Sequence, residues 1–166
     1  MKKKIKVYLD TSVISYLDQK DAEEKMKETQ ELWKLLKINK YEVVISNIAL
    51  LEISECGAEK RDKLIEYINE IAYEEYNLNE ETQELAELII KEGILKPKSF
   101  DDALHIASAI LSDCDIILSW NFKHLVNVNT INGVRKICFN RSFNRIIDIY
   151  SPNVLLNKGD DENEET

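Results

Sequence analysis

The stretch IKVYLDTS, Ile5 to Ser12, decides how the rest of the chain is read. Ile5 to Leu9 is a β-rich run, and it stops at Asp10, Thr11 and Ser12. Working outward, Met26, Thr29, Trp33 and Leu36 recur three or four residues apart, which predicts an amphipathic helix from about Ala22 to Ile38. Val43 to Ile45 reads as a buried strand, closed by Ser46 as the N-cap of a helix through Glu52. Leu64, Ile65, Ile68, Ile71 and Ala72 mark another helix, and Tyr73 to Asn77 a short strand. The helix carrying Leu85, Ala86, Leu88 and Ile89 is broken by Gly93 and Pro97. Ser99 to Asp102 is a Ser-x-x-acid capping pattern, and Ala103, Ile106, Ala107 and Ile110 form the apolar face that follows it. Asp115 to Ser119 reads as an apolar strand, 129–140 as a helix whose start is blurred by Asn132-Gly133, and Ile146 to Ile149 as a last strand before Pro152. Short strands alternating with amphipathic helices predict an α/β fold with a mainly parallel central sheet.

A length of 166 residues favours one domain, assigned to 1–156, and no internal period suggests a repeat architecture. Residues 157–166 are set apart as an acidic tail: from Lys158 onward they hold five acids and no apolar residue, and they read as disordered. The net charge of −9 excludes a bulk polycation that binds nucleic acid by overall charge, but not an acidic cleft that reaches a phosphate through a metal ion. Charge is also unevenly placed. Between Trp120 and Tyr150, Lys123, Arg135, Lys136, Arg141 and Arg145 face Asp148 alone, while Asp18 to Glu31 holds six acids and three lysines. That polarity makes Lys123, Arg135 and Arg141 candidate contacts for a polyanionic backbone, with a dispersed solvated surface as the alternative. Three widely spaced cysteines give no metal or disulfide pattern, and no stretch approaches the roughly 18 apolar residues of a membrane span. With no apolar stretch of signal-peptide length after the basic N-terminus, the expectation is a reducing, cytoplasmic, non-membrane protein.

In open α/β sheets ligands bind outside the carboxyl ends of the strands, so polar residues at those ends are the natural candidates. Asp10 follows the first strand, Glu52 lies on the helix after the second, Asp102 opens a later helix, and Asn121 follows the 115–119 strand. Singly, each has an ordinary explanation as a turn, cap or solvated helix residue. Jointly, all four fall at one predicted edge. Three crowded carboxylates repel one another, and a hard divalent cation, Mg²⁺ or Mn²⁺, resolves that conflict through oxygen ligands while keeping waters for exchange. Such a site can polarise a phosphodiester and activate a bound water. Asn121 adds a neutral carbonyl oxygen. Thr11 supports the Asp10 turn. His105, three residues after Asp102, is placed to orient a carboxylate, although alone it reads as a packed, hydrogen-bonded side chain.

On these residues the chain resembles the PIN-domain ribonucleases, specifically their VapC-type toxin branch. The matching segments are VYLDTSVISYL, the helix with Leu51-Glu52-Ile53, FDDALHIASAI and DIILSWNFKHLVN, with VNTINGVRKICFN and IIDIYSP at the close, together covering roughly residues 5 to 156. The resemblance implies a three-layer α/β/α fold and a metal-dependent endoribonuclease. By position, Asp10, Glu52 and Asp102 match the family's acidic metal-binding residues, Ser12 and Ser119 its small hydroxyl residues. Asn121 departs from the pattern, standing where many relatives have a fourth Asp. The family also implies an RNA substrate, a protein antitoxin and a homodimer. Two other readings stand beside it: a PIN-fold RNA- or protein-binding module of weak or absent catalysis, and an aspartyl phosphatase, disfavoured because Ser12 occupies the place of the required second acid.

Overall fold

The computed structural model describes residues 3–156, so the tail expected at 157–166 lies outside the described residues. Lys6–Leu9 form β1, Glu42–Ser46 β2, Glu74–Tyr76 β3, Ile116–Leu118 β4 and Asp148–Tyr150 β5. They make one sheet in the order β3-β2-β1-β4-β5, and every pairing is parallel. Tyr8 lies opposite Val44 on one side and Ile117 on the other. The chain leaves β1 for β2 in one direction and reaches β4 later in the other. The carboxyl end of β1 is therefore the point at which strand order reverses, where open α/β sheets bind ligands.

The period of two along the strands sets the layers. Val7 and Leu9 enter one core with Val13 and Ile14 of α1 (Thr11–Ser15), Leu32, Trp33 and Leu36 of α2 (Glu23–Lys37), Ile53 of α3 (Asn47–Ser54), and Leu64 and Ile68 of α4 (Ala58–Asn69). Tyr8 points the opposite way. It enters the second core with Ile89 of α5 (Glu80–Lys91), Ile106 of α6 (Phe100–Leu111) and Ile137 of α7 (Val128–Asn140). Two helical layers on one sheet make the three-layer α/β/α sandwich. Each fully buried Leu or Ile contributes on the order of 1.5–3 kcal/mol over leaving it in water.

The local signals held unevenly. Ser46 caps α3 as read, its Oγ accepting the Ala49 N–H at 3.2 Å. Ser99 does not cap α6: it sits inside a 3₁₀ turn, Pro97–Ser99, which runs straight into the helix, so its backbone is not extended and its side chain makes no capping bond. Asn79 forms a capping box with Thr82 at the start of α5, a feature its sequence context did not signal. The helix predicted to run through Ala72 ends at Asn69, although Ile71 is still buried. Gly93, at φ +76°, ends α5 in the left-handed conformation that favours glycine. The five-residue α1 was not anticipated. It turns the chain back immediately after β1 and so fixes the direction of Asp10.

Candidate active site

The site is built on the carboxyl ends of β1, β2 and β4. Asp10 follows β1 in extended conformation, and its N–H donates to the Leu118 carbonyl at 3.0 Å, continuing the β1–β4 ladder by one rung. The residue is only 5 % exposed. One carboxylate oxygen is fully engaged: Oδ2 accepts the Ser12 hydroxyl at 2.6 Å and the Ser119 hydroxyl at 2.8 Å. Both hydroxyls are held in turn, because Ser12 Oγ accepts the Trp120 N–H and Ser119 Oγ accepts the Asn121 N–H, each at 2.9 Å. The turn after β4 and the turn after β1 thus lock each other through Asp10. The other oxygen, Oδ1, faces His105, 3.9 Å from its Nε2.

His105, on α6, is 2 % exposed and joins three elements. Its Nε2 lies 2.8 Å from Glu52 Oε1 on α3 and 3.4 Å from Thr11 Oγ1. Its Nδ1 lies 2.6 Å from the Tyr8 hydroxyl of β1, which is 2.7 Å from Ser46 Oγ at the end of β2. Burial alone would lower the imidazole pKa. The Glu52 hydrogen bond and the charges of Asp10, Glu52 and Asp102 outweigh it, so the pKa is raised. Burial holds the Tyr8 hydroxyl well above its ordinary pKa, so it stays protonated.

Asp102, in the first turn of α6, is half-buried, whereas the neighbouring Asp101 is exposed. Burial and then the charge of Asp10 push the Asp102 carboxyl above the usual carboxylate range, with His124 and His105 pulling the other way. Asp10, Glu52 and Asp102 therefore share one electrostatic neighbourhood although 42 and 50 residues separate them in the chain. Asn121 is close by, but its Oδ1 accepts the His124 N–H at 2.9 Å and shapes the turn after β4.

Two other candidates are elsewhere. Arg135 pairs with Asp148 at 2.7 Å, and Asp148 is the first residue of β5, at the amino edge of a parallel sheet. Arg141 follows the end of α7, just before the chain re-enters the sheet at that same edge. Lys123 lies in the turn after β4, with the acids. The basic segment is less free than its count of charges suggested, since Arg145 also pairs, with Asp115.

Among the described residues, no three or more His, Cys, Asp and Glu side chains are drawn together closely enough to enclose a metal ion. Glu52 is turned onto His105, and half of the Asp10 carboxylate is spent on two serines. What remains is an open set of hard oxygen donors: Asp10 Oδ1, the outer part of a Glu52 side chain that is 35 % exposed, and Asp102. That donor set does not make a closed cage. It fits a hydrated hard cation of the Mg²⁺ type, which is commonly held through one or two carboxylates.

A family model of the PIN domain matches residues 7–123, which include all four residues picked out at the strand ends. Among solved structures the fold is similar to one described as VapBC2 from Rickettsia felis bound to a DNA fragment from their promoter, with a TM-score of 0.55 and 15 % identity over 89 % of this chain and 98 % of that one. No curated protein matches it in sequence. No described helix is long and apolar enough to cross a membrane.

Proposed function

The chain belongs to the PIN-domain family, and from that premise we propose that it is a metal-dependent endoribonuclease, the toxin of a toxin–antitoxin pair acting in the cytoplasm. The observation that carries the reading is that Asp10 and Glu52 both face His105 at the reversal point of the sheet, with Asp102 in the same electrostatic neighbourhood. When bound, Mg²⁺ or Mn²⁺ supplies Lewis acidity to the phosphate and acidifies a coordinated water. The chain's own part is positional. Ser12 and Ser119 hold Oδ2 of Asp10 so that Oδ1 is presented to the cleft, His105 holds one oxygen of Glu52, and Asp102 completes the negative field. A full PIN-like domain over 1–156 is the unit of function in this reading.

The rim suits an RNA strand. Phe122, one residue past Asn121, is 47 % exposed and backed by Trp120 and Tyr16, with ring centroids about 6 Å apart in sequence along the cluster (6.2 and 6.1 Å). The Lys25 ammonium lies 5.2 Å from the Phe122 ring centroid, and Lys123 is adjacent in the chain. Aromatic faces beside cations are what single-stranded nucleic acid binds. The structural likeness to VapBC2 supports a protein antitoxin as regulator, and a second copy of the chain is proposed as a further partner on the family resemblance alone.

The direct test is cleavage of an RNA panel with Mg²⁺ or Mn²⁺ by the wild type and Asp10→Asn. Cleavage by the wild type alone supports the assignment, while equal cleavage by both assigns it to a contaminant. Asn121, together with the open donor set, favours one other reading: a PIN-fold module that binds RNA or protein without cutting. RNA binding without any divalent-cation binding would select that alternative.

A further inference from the structure

Tyr8 is a polar strand residue turned into the largely apolar core beneath α5, α6 and α7, and it is fully buried there. A phenol so placed needs partners, and it has two: Ser46 at 2.7 Å and His105 Nδ1 at 2.6 Å. The ends of this chain of contacts are fixed. At one end Ser46 Oγ accepts the Ala49 N–H and so is anchored to the first turn of α3. At the other the Glu52 carboxylate can only accept, so His105 must present Nε2–H to it. If Ser46 donates to Tyr8 and Tyr8 donates to Nδ1, every polar hydrogen along the line has an acceptor. Glu52 lies on the same α3 whose start Ser46 caps. The buried line therefore closes a loop, from the cap of α3 through β1 and α6 and back to the α3 carboxylate.

We propose that Tyr8 and Ser46 are positioning residues for Glu52: they fix the ring of His105 so that Nε2–H holds Oε1 of Glu52 and leaves its other oxygen free for the cation. This rests on the metal-dependent reading above. It separates two roles within the buried residues. Tyr8 never reaches the cleft, yet it sets the orientation of a group that does. Outer partners of this kind typically change metal affinity about ten- to a hundredfold when removed.

The test measures Mn²⁺ affinity of the full chain, by the loss of the free-ion electron paramagnetic resonance signal, for the wild type, Tyr8→Phe, His105→Gln, the Tyr8→Phe/His105→Gln double variant and Asp10→Asn. Tyr8→Phe keeps the ring and its packing and removes only the hydroxyl. It is expected to weaken Mn²⁺ binding about tenfold. His105→Gln keeps an amide N–H for Glu52 but has nothing for Tyr8 to orient, so adding Tyr8→Phe to it is expected to change affinity less than about twofold. Melting temperatures without metal are read alongside. A Tyr8→Phe protein that melts earlier but binds Mn²⁺ like the wild type overturns the inference, and so does an undiminished tenfold loss in the double variant, which would mean that Tyr8 acts by some route other than His105. If the wild type binds Mn²⁺ no better than Asp10→Asn, the metal-dependent reading itself falls and takes this inference with it.

Discussion

Asp10 distinguishes a charge needed for chemistry from an acceptor needed for the fold, and two substitutions separate the two. Asp10→Asn removes the charge but keeps an oxygen where Oδ2 stands, so the Ser12 and Ser119 hydroxyls retain their acceptor. It also removes the nearby charge that helps to hold the Asp102 carboxyl up. Weaker bonds from the two hydroxyls and the lost attraction to His105 offset that relief, so its stability without metal is expected to lie between those of Asp10→Ala and the wild type. Asp10→Ala removes the acceptor. Two hydroxyl bonds to an ionised, buried oxygen are lost, each on the order of 1.5–3 kcal/mol. The hydroxyls lie 3.3 Å apart and can turn towards each other, which recovers part of the loss. The expected net destabilisation is about 2–4 kcal/mol. For a chain of this size that lowers the melting temperature by roughly 5–15 °C. Both variants should be inactive on RNA in Mg²⁺ or Mn²⁺. Urea unfolding in EDTA gives the stabilities, and cleavage of a labelled RNA gives the activities. Equal stability of Asp10→Ala and Asp10→Asn would refute the assignment of the serines to Oδ2. Wild-type cleavage by Asp10→Asn would refute the role of the charge.

Three other outcomes follow from the same geometry. Because burial and Asp10 raise the pKa of the folded Asp102 above its unfolded value, ionised Asp102 opposes folding: the penalty is absent in acid below the unfolded pKa, develops as pH rises, and is complete above the folded pKa. Asp102→Asn should therefore melt later than the metal-free wild type at pH 7, with the gap closing towards acid, and a wild type that is the more stable at pH 7 would contradict this. Lys123→Ala should weaken RNA binding and reduce the salt slope by about one, whereas Arg141→Ala, at the far edge of the sheet, should leave both within about twofold; binding titrations across salt concentrations decide the matter. Asn79→Ala should cost about 1 kcal/mol in urea unfolding by opening the α5 capping box, while RNA cleavage stays unchanged.

What was legible in the sequence is local. The five strands show themselves as short β-rich or apolar runs and the long helices by periodicity, and Asp10, Glu52 and Asp102 follow from asking what stands at strand ends. Of the two adjacent acids that open α6, Asp102 is half-buried and Asp101 is exposed. The partner of His105 was not legible. Its spacing from Asp102 pointed along its own helix, but its hydrogen bond reaches Glu52, 53 residues away on the other side of β1. No local pattern encodes a contact made across a sheet. For the same reason Tyr8 read only as one position of a β-rich run, and Arg135 as a candidate contact for a polyanion when it is paired with the start of β5. Ser99 failed in the opposite way: a true motif was present, but Pro97 drew the backbone into a 3₁₀ turn that left no room for the cap.

The placement of the indoles has a practical consequence. The chain has two tryptophans. Trp33 is buried among α2 and α4 with its Nε1 donating to the Tyr67 carbonyl, while Trp120 follows Ser119 directly and donates its backbone N–H to Ser12. A Trp33→Phe protein would emit from Trp120 alone, so the colour and intensity of its intrinsic fluorescence would report events at the acidic edge of the sheet without any attached label.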